Sequence, residues 1–171
     1  MTKALQLSIA ITALNESSII IKNVKEIKNW LKKNLPSVSF EILVVDDGSS
    51  DGMGELLDNA ALKDKTLRVV HHKFNMGRGR GVRTAIREAR GEFLIIFDAD
   101  LSYGPEHISK LLEPLKRGEA DITLASPYHK DGVVKNVPFM RLVLSRWGNK
   151  ILAKSFKNNI NTVTCIVRGY R

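Results

Sequence analysis

Two carboxylates one residue apart, Asp98 and Asp100, follow the apolar run Phe93-Leu94-Ile95-Ile96-Phe97. Asp is disfavoured inside strands, so this pair marks the point where a strand leaves the core. Two ionised groups at that spacing repel unless positive charge lies between them. A divalent cation with oxygen ligands, Mg2+ or Mn2+, meets that need and commonly bridges to substrate phosphates. A lone Asp-x-Asp is more simply a polar turn; the rest of the chain decides between the two.

A second acidic cluster, Asp46-Asp47-Gly48-Ser49-Ser50-Asp51, ends the apolar run Phe40–Val45. It lacks the basic residue of a phosphate loop and the glycine spacing of a dinucleotide fingerprint. Carboxylates here repel phosphate but suit a base imide or a ribose hydroxyl. Asp47 is the expected ligand contact, whereas Asp51 with Ser49 and Ser50 reads as an Asx turn capping a helix at Gly52. The segment Asn75-Met76-Gly77-Arg78-Gly79-Arg80-Gly81 sets glycines and arginines just before a helix, an arrangement that favours anions. Arg78 is the candidate for a pyrophosphate. Arg83, Arg87 and Arg90 recur at helical spacing and read as a solvated face.

The elements that must position these groups alternate regularly. Strands are expected at Leu7–Leu14, Phe40–Val45, Leu67–His71, Phe93–Phe97 and Ile122–Ser126. Helices are expected at Ser17–Asn34, Gly52–Leu62, Arg80–Arg90 and from Pro105 to about Arg117. Continuous apolar strands alternating with helices predict an α/β fold, a Rossmann-like mostly parallel sheet with helices on both faces. Ligands of such sheets bind beyond the carboxyl ends of the strands. Thr12–Glu16, Asp46–Asp51 and Asp98–Asp100 all fall there.

Composition bounds the rest. A chain of 171 residues with 43% hydrophobic content can bury one core. The single Cys165 forms no internal disulfide, which fits a reducing compartment. Nothing reaches the length of a membrane span, and Asn15-Glu16 arrives too early for a signal peptide, so a soluble, non-secreted protein is expected. The net charge of +9 is uneven: residues 1–128 carry 18 Lys and Arg against 17 Asp and Glu, residues 129–171 carry 9 against the single Asp131. Residues 1–128 therefore read as a ligand-binding α/β core, and 129–171 as a basic segment of the same domain facing an anionic surface.

Asn15-Glu16, Val44-Val45-Asp46-Asp47-Gly48-Ser49-Ser50-Asp51-Gly52, Asn75-x-Gly77 and Asp98-Ala99-Asp100-Leu101-Ser102 together resemble glycosyltransferase family 2, whose members have the GT-A fold. Within it, Leu101-Ser102 and the later Ser145-Arg146 resemble polyprenyl-phosphate (dolichyl-phosphate) mannose and glucose synthases. The resemblance implies that Thr12, Leu14, Glu16, Val45 and Asp47 hold the nucleotide of a nucleotide-sugar donor, GDP- or UDP-linked. It implies that Asp98 and Asp100 bind metal, with Ser102 as a further polar ligand. Thr12 and Leu14 stand where Pro and Tyr are usual, so the base-stacking aromatic is missing; Pro127 stands where many relatives have Arg. Thr162–Arg168 resembles an Asp-x-Thr-Ser-Gly-Phe-Arg segment without its Asp, Gly and Phe. The fold also implies a strand around Arg171, and that the chain continues beyond it.

Pro138–Phe156 reads as an amphipathic helix, with Phe139, Val143, Trp147 and Ile151 at four-residue spacing beside Arg146, Lys150 and Lys154. A basic helix with Trp and Phe on its apolar side suits a membrane interface; a helix packed on the sheet is the alternative. A lipid phosphate acceptor is largely dianionic at neutral pH and needs no general base, whereas a hydroxyl acceptor does. The expected activity is therefore metal-dependent, inverting hexosyl transfer from a nucleotide-sugar to a polyprenyl or dolichyl phosphate, at the cytoplasmic face of a membrane. Ser145 and Arg146 would align the acceptor phosphate, and Arg146 would act with Asp98 and Asp100 in transfer. A soluble or polysaccharide hydroxyl acceptor is the alternative. A nucleic-acid-binding or nucleotidyl-transfer role is disfavoured because the basic tail carries a continuous apolar stripe and no recognised binding motif, so no nucleic acid is expected. A phosphoacceptor receiver would need its acidic pair after the first strand, where this chain has Asn15-Glu16.

Overall fold

The structure, a computed structural model, describes residues 4–126, 140, 144, 145, 147–149 and 165–171. The chain divides into two compact units, Met1–Thr123 with Val167–Arg171, and Leu124–Ile166. The elements run β1 (Leu7–Ala13), α1 (Ile20–Asn34), β2 (Phe40–Asp46), α2 (Met53–Lys63), β3 (Leu67–His71), α3 (Arg78–Glu88), β4 (Phe93–Asp98), α4 (His107–Lys116), β5 (Ile122–Leu124) and β6 (Arg168–Tyr170). They form a sheet of order β3-β2-β1-β4-β6-β5. β1 pairs in parallel with β2 and β4, β2 pairs in parallel with β3, and β4 pairs antiparallel with β6. The expected mostly parallel α/β sheet is present, and β6 makes it mixed.

The interior strands are buried on both faces, as their unbroken apolar runs require: Ile9, Ile11, Ile42, Val44, Ile95 and Phe97 are fully buried. α1 and α4 each bury an apolar stripe, Ile20, Val24, Ile27 and Leu31 on α1 and Ile108, Leu111, Leu112 and Leu115 on α4. Register sets the site. Thr12 lies level with Val45 on one side and with Asp98 on the other, and Ala13 faces Asp46, so three strands end together.

Boundaries differ from the sequence reading at the ends. β1 stops at Ala13 and α1 starts at Ile20 rather than Ser17, because residues 14–19 form a turn held from the neighbouring loop (Ser17 N donates to Asp51 Oδ2, 2.9 Å). α3 begins earlier, at Arg78, and ends at Glu88; α4 starts after Pro105, at His107. β5 ends at Leu124, and the strand expected around Arg171 is β6.

Buried charge sits at the opposite, amino-terminal edge. Glu41 accepts from Ser8 Oγ (2.6 Å), Arg68 Nε (3.0 Å) and Arg90 N (2.9 Å), tying β1, β2, β3 and the start of β4. Glu41→Gln keeps the shape but loses the charge, so unfolding stability measured in urea should fall by about 2 kcal/mol. Donor binding should not change, because this cluster lies at the far end of the strands.

Candidate active site

The carboxyl ends of β1, β2 and β4 open into a cleft of about 330 Å³ lined by Thr12, Leu14, Glu16, Asp47, Asn75, Gly77, Arg78, Asp98 and Asp100. Of the residues singled out from sequence, Thr12, Leu14, Glu16, Asp47, Arg78, Asp98 and Asp100 meet here. Val45 does not line the cleft: it is fully buried in β2, level with Thr12. Ser102 is exposed beside it. Ser145 belongs to the unit Leu124–Ile166, where its carbonyl accepts from Asn149 Nδ2 (2.9 Å). Arg146, Pro127 and Thr162–Thr164 lie outside the described residues, as do all but six positions of the Pro138–Phe156 stripe.

Asp98 is the last residue of β4 and Asp100 the second residue of the turn that follows. Burial above all, and then the charge of Asp100, pushes the Asp98 carboxyl above its usual 3.8; Arg78 pulls it partly back. Ser102 N and Oγ donate to the two oxygens of Asp100 (2.9 and 2.7 Å) and fix its carboxylate plane. Leu101 adopts a left-handed φ of 49°, a strained conformation for a residue other than glycine. On the far side, the buried Asn23 of α1 donates to the Ala99 carbonyl (2.7 Å), between the two carboxylates. Two oxygen-bearing groups under mutual repulsion suit a hard divalent cation. Among the described residues, no cluster of three or more His, Cys, Asp or Glu side chains could hold a metal. Asp98 and Asp100 are the residues on the cleft that could hold such a cation.

Asp47 faces the other wall. Its Oδ1 accepts from Met76 N (3.0 Å) and lies 2.6 Å from His72 Nδ1, and its Oδ2 accepts from Gly77 N (2.9 Å). Burial works against the ionised form, but these bonds outweigh it and hold the carboxyl below its usual value. Asp47 thus fixes the loop that brings Asn75, Gly77 and Arg78 to the cleft. His72 is itself oriented by Thr84 Oγ1 on α3 (2.9 Å). Arg78, the first residue of α3, lines the same cleft, and its charge acts on Asp98.

Loops after β1 and β2 are stitched reciprocally: Asn15 N donates to Ser49 Oγ and Ser50 N to Asn15 Oδ1, both at 2.9 Å. Asp51 does not sit at the N-cap of α2, which is Gly52 in a left-handed conformation; it accepts from Met53 N (3.1 Å) and ties the α2 start to Ser17. Asp46 accepts from Ser49 N (3.0 Å) and meets His71 Nδ1 (2.9 Å), whose Nε2 reaches Asp58 (3.1 Å). His71 and His72 are consecutive, so strand alternation sends one ring to α2 and the other to α3.

A consequence is a pH signature. Burial lowers the His71 pKa, but the bonds to Asp46 and Asp58 and their charges outweigh it, leaving it above 6.5. A raised folded-state value stabilises the fold fully below 6.5 and is lost as pH rises through the folded pKa. Asp46, Asp47 and Asp64 shift the other way, so their contribution is lost only as pH falls through values below 3.8. The urea midpoint should therefore decline from pH 6.5 upward, and His71→Gln should flatten that decline.

The sequence profile of Glycosyl transferase family 2 matches residues 8–171. The chain belongs to glycosyltransferase family 2. It is 38% identical over 135 residues to the polyprenol monophosphomannose synthase of Mycolicibacterium smegmatis, covering 76% of this chain and 50% of that protein. It is 33% identical over 142 residues to the dolichol-phosphate mannosyltransferase of Pyrococcus furiosus, covering 83% of this chain and 39% of that protein. The chain therefore spans half or less of the length of these relatives. Its fold is similar to the mannosyltransferase PcManGT of Pyrobaculum calidifontis in complex with GDP-Man and Mn2+, with a TM-score of 0.65 at 20% identity over 99% of this chain and 45% of that one. The fold of this family 2 chain is thus GT-A-like.

Sequence reasoning missed Asn23 and His72, neither of which touches the opening but each of which aims a residue that does. Asn23 left a trace, a polar residue beside the apolar stripe of α1. His72 left none.

Proposed function

We propose that this protein transfers a hexose, with inversion, from a nucleotide-sugar to a polyprenyl phosphate at a membrane surface. The observation that carries the reading is the convergence of Asp98, Asp100, Arg78, Thr12, Leu14, Glu16 and Asp47 on one cleft at the carboxyl edge of the sheet. Both named relatives are mannose enzymes, which makes GDP-mannose the first donor to test and UDP-sugars the second.

Asp98 and Asp100 would hold Mg2+ or Mn2+. When bound, the cation supplies Lewis-acid stabilisation of the leaving nucleoside diphosphate. Arg78 and the N-terminus of α3 add positive charge on the opposite wall, where the diphosphate oxygens would lie. Thr12, Leu14, Glu16 and Asp47 line the part of the cleft suited to the base and ribose. Val45 lies buried beside Thr12 on the neighbouring strand. Ser102 orients Asp100 through both carboxylate oxygens, a role compatible with a water-mediated place at the metal. The acceptor phosphate attacks the anomeric carbon as the bond to the diphosphate breaks, and the dianion needs no base. Acceptor roles for Ser145 and Arg146 come from the family resemblance.

Peripheral attachment at the cytoplasmic face fits the charge of residues 129–171. Met140, Leu144 and Trp147 are each helical and exposed, Trp147 by 70%. Among the described residues, no helix is long and apolar enough to cross a membrane. The test is transfer of radiolabelled hexose from GDP-mannose, UDP-glucose and UDP-N-acetylglucosamine, with Mn2+, to a polyprenyl phosphate and to soluble sugars. Label on the lipid phosphate supports the reading. Label on soluble hydroxyls alone replaces it with the hydroxyl-acceptor alternative.

A further inference from the structure

The loop between β3 and α3 presents Phe74, 64% exposed, and Met76, 42% exposed, to solvent. This is not a loose loop. Asp47 accepts from the Met76 and Gly77 amides, and Asn75 Oδ1 accepts from Gly77 N (2.9 Å). Gly48 packs so closely that a Cβ there would come within 2.6 Å of Phe74 Cα. The backbone is fixed, yet the two large apolar side chains point away from the core. Rigid outward presentation of Phe and Met exposes apolar surface that nothing among the described residues covers.

Charge around the loop is one-sided. Lys73, Arg78, Arg80, Arg83 and Arg87 occur with no carboxylate before Glu88. Arg78 turns into the cleft and Arg87 lies 3.7 Å from Glu88. Lys73, Arg80 and Arg83 are exposed, and among the described residues no carboxylate pairs with them. Ile86, half exposed, continues the apolar surface along α3. Exposed apolar tips, with cations close by in the chain that pair with no carboxylate among the described residues, match an anionic bilayer, with the tips at the acyl boundary and the cations among headgroups. A nucleic acid would use the cations but gain little from Met76 and Ile86.

We propose that the loop Lys73–Met76 and the outer face of α3 form a docking surface for an anionic lipid bilayer. Because Asn75 and Gly77 of the same segment line the cleft, docking would bring its opening to the lipid surface. The purpose of this surface rests on the lipid-acceptor reading above, but its measurement does not.

The test is co-sedimentation of the whole chain with vesicles containing about 30% phosphatidylserine, and with pure phosphatidylcholine, at low and high salt. Phe74→Ser with Met76→Ser should weaken partitioning by roughly 10- to 100-fold. Arg80→Gln with Arg83→Gln should weaken it by roughly 30-fold, an effect that vanishes at high salt. Both double variants should retain wild-type donor binding, which also reports that they fold. Wild-type sedimentation by both double variants would overturn the proposal. So would salt-sensitive binding to duplex DNA that depends on Arg80 and Arg83 while vesicle binding does not. The two readings separate cleanly: loop-dependent vesicle binding without transfer to polyprenyl phosphate leaves the docking surface and removes the acceptor. Transfer to polyprenyl phosphate with loop-independent binding does the reverse.

Discussion

Asp98→Asn and Asp100→Asn should each reduce hexosyl transfer by about 1,000-fold or more while leaving the fold intact. Each removes the charge of one member of the closely spaced carboxylate pair on the cleft. The Asp98 variant carries a diagnostic second effect. Its carboxyl is pushed up by burial and by Asp100, so the ionised form destabilises the protein without a cation. The neutral amide relieves this, and Asp98→Asn in metal-free buffer should melt no lower than wild type. Calorimetry and transfer assays on the same preparations would check both. Lost activity accompanied by a lower melting temperature would mean that the pair holds the turn together rather than a ligand.

Asp47→Ala should be the most damaging change on the nucleotide side. It takes the acceptor from the Met76 amide and the Nδ1 partner from the His72 ring, while Gly77 N keeps Asn75 Oδ1, which should cost about 2 kcal/mol of stability. It also releases the loop that carries Arg78, so donor KM should rise by roughly 10- to 100-fold. Asp51→Ala is the control: it unties α2 from the turn before α1, so melting should fall with donor KM unchanged. His72→Gln should fall between the two, because Asp47 keeps its amide partners but loses its orienting ring. An Asp47→Ala protein with normal donor KM would remove Asp47 from the site.

What could be read from the sequence followed the rules of local pattern. Apolar runs ending in acidic turns located β1, β2 and β4, and parallel pairing then fixed where Thr12, Asp47 and Asp98 would meet. What could not be read depended on pairings between distant elements. Whether Asp47 faces ligand or loop is decided by the path of residues 75–77, and no spacing within Asp46–Asp51 records that path. His71 and His72 look alike in the sequence; only the strand's alternation, with α2 on one side and α3 on the other, gives them different partners. Asp51 read as a cap because Asx turns are local, yet half of its bonding goes to Ser17, 34 residues away. Val45 matched a motif position but is wholly core, since a motif transfers sequence order and not exposure.

The most direct measurement is a calorimetric titration of GDP-mannose and UDP-glucose into the protein in Mn2+ and in EDTA, repeated with Asp98→Asn. The expected result is that one donor binds in Mn2+, binds at least roughly tenfold more weakly in EDTA, and shows no Mn2+ dependence with Asp98→Asn. Donor binding of equal strength in Mn2+, in EDTA and in the variant would contradict a metal-dependent site at Asp98 and Asp100.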